Sequence, residues 1–516
     1  MWTRSLAALS LLVVMAGRPY AGAPNPLPTT DDAITHALNR LTYGPRPGDV
    51  ARVKAMGLQA WIDLQLSPLR INDANLTARL APLETLALDS ATIQRDYSGP
   101  AMMERRERQL ANPPSQPEAA SARQAPESAP PSPGMREPRQ PQSEAQQKDR
   151  QVIADIEQAK LLRAVYSERQ LQEVLVDFWF NHFNVFAGKG ATRNYLNEYE
   201  REAIRPHVLG NFRDMLEASA KSPAMLFYLD NWENVSEDSP SPGGAQRRPP
   251  GGRAAATPTS AAGANPTSPR PQRGINENYA RELMELHTLG VDGGYTQADV
   301  QNVARALTGW TMRPREGSGA MFVPRLHDDK TKTVLGHTIK SGGGENDIEQ
   351  VLDILAAHPS TARYIATKLA VRFVSDTPPA ALVDRAAARF TATAGDLREV
   401  VRTIITSPEF FAPDAYRIKV KTPLDFVASA LRATGAEVRS AVPLARELRD
   451  MGMPLYFCQP PTGYDDTAAT WVSAGALVSR MNFAVSLAKN EIRGVRIANP
   501  PADLEKEIGS PGFQRQ

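Results

Sequence analysis

The sequence predicts a mainly α protein: a single large multi-helix domain with a short β-hairpin or ribbon near 320–340 and two disordered proline-rich inserts. Three observations predict it. In segment after segment, apolar residues recur at three- and four-residue steps, the signature of a one-sided helix. No βαβ rhythm, internal repeat or glycine-rich phosphate loop occurs, which weighs against a nucleotide enzyme. The prolines are unevenly placed: of 43, nine fall in 112–148 and eight in 236–273, where large apolar side chains are nearly absent. Such stretches cannot bury enough surface to offset the entropy of ordering, so both are expected to be disordered.

From the N-terminus, Arg4 precedes an apolar run from Ser5 to Ala16, and small residues follow at Ala16 and Ala21-Gly22-Ala23. That is the pattern of a secretory signal peptide over 1–23, with cleavage expected within 16–23. No later stretch approaches the ~18 apolar residues of a membrane span, so the mature chain is expected to have no transmembrane segment. The expected location is periplasmic or extracellular. The domain is expected over 30–490, with 491–516 as a C-terminal tail.

Thr30 to Tyr43 places Ile34, Ala37, Leu38 and Leu41 on one face, with Thr30 or Asp31 as cap and Gly44-Pro45 as stop. A second helix, 49–56, ends at Gly57. Helices are further expected at 150–169, 171–187, 193–208, 211–220, 276–289, 296–309, 346–357, 360–374, 379–391, 396–406, 422–434, 441–451 and 468–488. Thr296-Gln-Ala-Asp299 reads as a capping box. Only 320–340 alternates as strands do.

Charge and cysteine content exclude several classes. Lys and Arg number 59 against 57 Asp and Glu, a net +2, so a strongly basic nucleic-acid binder is excluded. With the signal and the two inserts removed, the helical body is near −3. The lone Cys458 excludes an intramolecular disulfide framework and any multi-cysteine metal site. No base or electropositive setting is evident beside it, which favours an inert thiol over a nucleophile.

The most informative helix is 276–289. Its period puts Glu277, Asn278, Arg281, Glu282, Glu285 and Thr288 on one side and Tyr279, Ala280, Leu283, Met284 and Leu286 on the other. Glu277–Arg281 and Arg281–Glu285 are spaced as solvated ion pairs. If other helices cover them, the same carboxylates tune one another's pKa and become acid–base candidates. His287 lies within the apolar face, either as a core histidine bonded to a carbonyl or as a metal ligand or proton shuttle. His182, in Asp177-Phe-Trp-Phe-Asn-His-Phe-Asn-Val-Phe186, poses the same choice. His327-Asp328 reads either as a metal-ligating or general-base pair or as an ordinary Asx-turn.

Several motifs resemble one family. They include Ala37-Leu-Asn-Arg-Leu-Thr-Tyr-Gly-Pro45, Phe178-Trp-Phe-Asn-His-Phe183, Gly210-Asn-Phe-Arg-Asp-Met-Leu216 and Pro223-Ala-Met-Leu-Phe-Tyr-Leu-Asp-Asn231. The longest is Asn276-Glu-Asn-Tyr-Ala-Arg-Glu-Leu-Met-Glu-Leu-His-Thr-Leu-Gly290, followed by Tyr295-Thr-Gln-Ala-Asp-Val300 and Ala304-Arg-Ala-Leu-Thr-Gly-Trp310. Further on, His327-Asp328, Lys332, Leu335-Gly336, Lys368-Leu and Ile418-Lys also match. Together they resemble the bacterial exported family called domain of unknown function 1800, in order from about 33 to about 485. The resemblance implies one helical domain in which the inserts are loops, and no agreed activity. It also implies proximity to the sulfatase-like group called domain of unknown function 1501. One departure is Pro460-Pro-Thr-Gly-Tyr-Asp-Asp466, where Tyr464 replaces an expected tryptophan; a pocket lined by that stretch would be altered.

Two functions are therefore expected to compete. One is an exported hydrolase or lyase acting on an envelope or extracellular polymer. Its candidate catalytic residues are Glu282, Glu285, His287 and His182; its candidate metal ligands, for a divalent ion, are His327 and Asp328. The other is a non-catalytic accessory or assembly protein partnered with a sulfatase-like exported protein. Convergence of His182, His287 and Glu282 on one solvent-connected cleft favours the first; separate satisfaction inside the core favours the second.

Overall fold

The computed structural model describes residues 26–111, 143–239, 274–313 and 319–516. The expected signal peptide lies outside the described residues, as do 112–142 and 240–273 of the expected inserts. Each insert is shorter than expected where it meets the body. Ser143 caps the helix Glu144–Tyr166 by accepting from the Gln146 amide, so 143–148 belong to a helix. At the other insert, Ser236 is buried and its amide donates to the Leu326 carbonyl.

The described residues are mainly helical, with three antiparallel two-stranded ribbons. One pairs Trp310–Thr311 with Met321–Phe322, and a second pairs Lys332–Val334 with His337–Ile339, both within or beside the expected strand region. Leu335 and Gly336 turn that second hairpin with positive φ, as a two-residue hairpin turn requires. Leu335 is held there by its amide, which donates to Asp299 Oδ1 at 2.7 Å. The third ribbon pairs Glu437–Val438 with Val495–Arg496.

One contiguous set of buried apolar side chains runs from Ile34 to Ile508. The stretch 491–516 is therefore built into the body rather than trailing as a tail. Ile492, Val495, Ile497, Leu504 and Ile508 are buried, and the Gln516 amide donates to the Lys419 carbonyl at 2.9 Å. These apolar residues give the terminal segment a face to bury, which fixes it to the core.

Local signals explain most helix starts. Thr30 accepts from the Ala33 amide, and Thr296 and Asp299 form the reciprocal capping box. Three helices differ from expectation. The segment 171–187 stops at His182, because Asn181 and Asn184 turn their amides to a distant loop. The segment 193–208 breaks into a 3-10 turn, a short helix Leu196–Glu198 and a π turn Tyr199–Ile204. The segment 468–488 is split into Ala468–Trp471 and Ala474–Ala488, with Ser473 capping the second piece. Among the described residues no helix is long and apolar enough to cross a membrane.

Candidate functional site

The carboxylate segment is a helix, Asn278–Met284, that widens into a π turn over Glu285–Leu289 and ends at Gly290, φ 81°. A π turn places one extra residue in the turn and rotates the residues beyond it. Thr288, expected on the polar face, is therefore fully buried; its hydroxyl donates to the Leu283 and Met284 carbonyls at 2.7 and 3.2 Å. Glu277 accepts from Arg281 at 3.3 Å and from Gln297 at 2.6 Å, so this end is a solvated polar cluster. The expected Arg281–Glu285 pair does not form. Glu285 instead accepts from the Tyr295 hydroxyl at 2.8 Å.

Glu282 is the exception on this face. It is partly buried and has no hydrogen bond or ion pair among the described residues. Burial, and then the neighbouring Glu285, raise its carboxyl pKa; Arg281 opposes this. Tyr364 packs against the following turn, its ring meeting the place where a Gly290 side chain would stand. Its phenol pKa is raised by burial and by Glu285. One turn along the same helix, Pro359–Phe373, Lys368 sets its ammonium 5.6 Å from the Tyr364 ring centroid. Lys368 also lacks a hydrogen bond or ion pair among the described residues. Burial lowers its pKa, against the fields of Asp466 and Asp465.

The two histidines lie behind this surface. His182 and His287 are 2% and 1% exposed, with ring centroids 6.3 Å apart. His182 Nε2 donates to the His287 carbonyl at 3.1 Å, leaving Nδ1 without a partner; His287 Nε2 has none either. Trp179, Phe183, Tyr279 and Tyr364 surround them. Burial, with the Lys368 charge adding to it, lowers the pKa of His182 far below the usual histidine range and that of His287 to about 3. Both rings are neutral core groups at neutral pH. They do not share an open cleft with Glu282, so the convergence expected of an enzyme built on these histidines does not form, and His182 and His287 are not its catalytic groups.

His327 and Asp328 belong to a separate buried network. His327 Nδ1 meets the Thr308 carbonyl at 2.8 Å and Nε2 meets Asp347 Oδ2 at 3.2 Å. That carboxylate also accepts from Lys332 Nζ at 2.6 Å. Asp328 is clamped bidentately by Arg305 at 2.8 and 3.1 Å. Each expected donor atom is already engaged by the protein, so a divalent metal does not fit here. Among the described residues no three His, Cys, Asp or Glu side chains gather as a metal site needs.

A loop from Pro454 to Asp466 borders the Lys368 side, and the asparagines of the aromatic motif hold it. Asn181 both donates to the Tyr464 carbonyl (2.6 Å) and accepts from the Tyr464 amide (2.7 Å). Asn184 donates to the carbonyls of Cys458 and Pro460 at 3.0 and 2.8 Å. Gly463, φ 73°, lies so close to Asn181 that a side chain there would land on its carbonyl oxygen. Tyr464, where the tryptophan was expected, donates its hydroxyl to the Pro454 carbonyl at 2.8 Å and so ties the loop to itself. Burial pushes the Cys458 thiol up to about 11, which leaves it unreactive. Asp466, partly buried, has its carboxyl pKa raised by burial despite Arg372, Lys419 and Lys368.

The residues that sequence reasoning missed are Lys368 and Asp466. A signal for Lys368 exists: with Arg372 one turn on, it places two cations along a helix whose neighbouring positions are apolar. Of the molecule's cavities, one of about 640 Å³ is lined by Arg70, Arg163, Arg169 and Arg205 and touches none of the site residues.

A family model described as a protein of unknown function (DUF1800) matches residues 36–513. No curated protein and no solved structure matches the chain.

Proposed function

The chain belongs to that DUF1800 family, and from its own geometry we propose that it is an exported hydrolase or lyase acting on an envelope or extracellular polymer. The observation that carries the proposal is a pair of opposite perturbations, one on the helix Asn278–Met284 and one on the helix Pro359–Phe373. Glu282, without a partner, is biased toward the neutral acid, and Lys368, without a partner, is biased toward the neutral amine. A carboxyl shifted upward and an amine shifted downward both move toward the range that general acid–base catalysis uses.

In this reading Glu282 protonates the leaving oxygen. Lys368 takes a proton from water in a hydrolase, or from the carbon next to a carbonyl in a lyase. Glu285, fixed by Tyr295, supplies negative charge beside the acid, and the Tyr364 ring stands between the carboxylate turn and the amine. The neutral His182 and His287 form the wall behind Lys368 and carry no proton in the reaction. Export rests on the N-terminal pattern of residues 1–23.

The test is turnover by the full mature chain on peptidoglycan sacculi and on neutral and acidic polysaccharides, read as new reducing ends and as unsaturated product. Glu282→Gln and Lys368→Met are each expected to lower the rate at least about a hundredfold, with unchanged thermal unfolding. Turnover that survives both substitutions refutes the assignment. Absence of turnover on every polymer favours the accessory role beside a sulfatase-like partner.

A further inference from the structure

The helix Ala474–Ala488 is apolar on both sides. Phe483, Ala484 and Leu487 face the core, together with Arg480, whose two terminal nitrogens donate to Gln514 and the Lys421 carbonyl. At 100° per residue, Ala474, Leu477, Val478, Met481 and Val485 form a stripe flanking the core face. Leu477, Val478, Met481 and Val485 are 40%, 57%, 59% and 37% exposed, and Val472, just before the helix, is 52% exposed. From Val472 to Ala488 no exposed residue carries a charge. Soluble surfaces rarely leave such a stripe bare.

The charges gather at one end. Lys489 continues the stripe by helical phase, and Arg493 and Arg496 come within the next seven residues, all exposed. Arg439 joins them, because its amide donates to the Gly494 carbonyl at 2.8 Å. None of the four makes an ion pair among the described residues. The acids nearby are Glu491, Glu437, which is already bonded to Arg79, Asp450, whose carbonyl accepts from Ser479 of the helix, and Glu505 and Glu507 on the adjoining segment Leu504–Gly509.

We infer that this helix docks the protein on an anionic lipid surface, lying in the interface plane with Leu477, Val478, Met481 and Val485 inserted and the Lys489–Arg496 cluster on the headgroups. An apolar stripe with a cationic end is the pattern of an interfacial helix. At 15 residues, about 22 Å, the helix is too short to cross the bilayer. A second copy of the chain would bring the same apolar stripe and the same four unpaired cations, whereas anionic lipid answers both halves at once. This inference is independent of the acid–base reading.

The experiment is flotation of the full mature chain with vesicles of phosphatidylcholine alone and of phosphatidylcholine mixed with phosphatidylglycerol. Binding is expected with the anionic vesicles and is expected to weaken in high salt. Met481→Asp should lower the partition coefficient at least about tenfold. Lys489→Glu with Arg493→Glu should lower it roughly fivefold or more per charge. Leu69→Asp, at an 88%-exposed apolar residue elsewhere, should leave it unchanged, and all variants should keep the parent unfolding temperature. No flotation, or flotation equal in all variants, overturns the inference. So does a dimer in sedimentation velocity that Met481→Asp dissolves without any vesicle binding.

Discussion

Acidification to pH 5 is expected to destabilise the fold, through histidines that play no part in the proposed chemistry. His36, His182 and His287 are 4%, 2% and 1% exposed. His36 donates Nε2–H to the Phe410 carbonyl at 2.8 Å, stacks on Tyr416 and has its pKa lowered to about 4 by burial and by Arg40. His287 is lowered to about 3, and burial holds His182 well below the ordinary histidine value. All three folded-state values lie below the unfolded value near 6.5. Below pH 6.5 the unfolded chain therefore binds protons that the folded chain refuses, and stability falls as pH falls toward the folded values. Between pH 7 and 5 His36 and His287 each cost about 2 kcal/mol, and His182 adds to the loss in the same direction.

Carboxyls raised by burial oppose this, among them Asp155, Glu282, Glu447 and Asp466. Glu157, buried with only Arg449 in reach, is raised to about 7, so the folded state gains its proton first and recovers about 2 kcal/mol. The three groups with the largest defined shifts, His36, His287 and Glu157, leave a net loss of roughly 2 kcal/mol, a sizeable part of a typical domain's 5–15 kcal/mol. Urea titrations followed by far-ultraviolet circular dichroism at pH 7 and pH 5 measure it directly. The midpoint should drop while the slope stays constant, and His36→Asn should shrink the difference by about 2 kcal/mol. An equal or higher midpoint at pH 5 would refute the burial argument for all three rings.

Three further outcomes are expected from buried polar contacts. Asp347→Asn should cost about 3–5 kcal/mol, because it strands the fully buried Lys332 ammonium, and a chemical denaturation curve reads the loss. Asn181→Ala removes both bonds to the Tyr464 backbone and should cost about 2–3 kcal/mol while raising the rate of proteolytic nicking within 454–466. Thr288→Val leaves the Leu283 carbonyl of the π turn unpaired in the core, and a loss of about 1–3 kcal/mol is expected by thermal unfolding.

What could be read from the sequence is what a few consecutive residues decide. Thr30, Thr296 and Asp299 cap helices because their partners are three residues away, and the hairpin near 320–340 shows its alternation over a few positions. The helices Leu58–Gln65 and Ala74–Leu80 escaped because neither begins with a side-chain cap bond of the kind Thr30 and Thr296 make. The π turn at Glu285–Leu289 escaped because its composition is that of an ordinary helix; only packing shows that Thr288 rather than solvent receives the turn. The site was misread for a related reason. Histidines beside carboxylates look chemical in one dimension, yet His327 and Asp328 find Asp347 and Arg305 at sequence distances no motif encodes. Glu282 and Lys368 are legible only by what they lack. A sequence records a residue's identity, whereas a missing partner is a property of everything folded around it. The two strongest acid–base candidates could therefore be told from other charged residues only after every neighbouring donor and acceptor had been assigned.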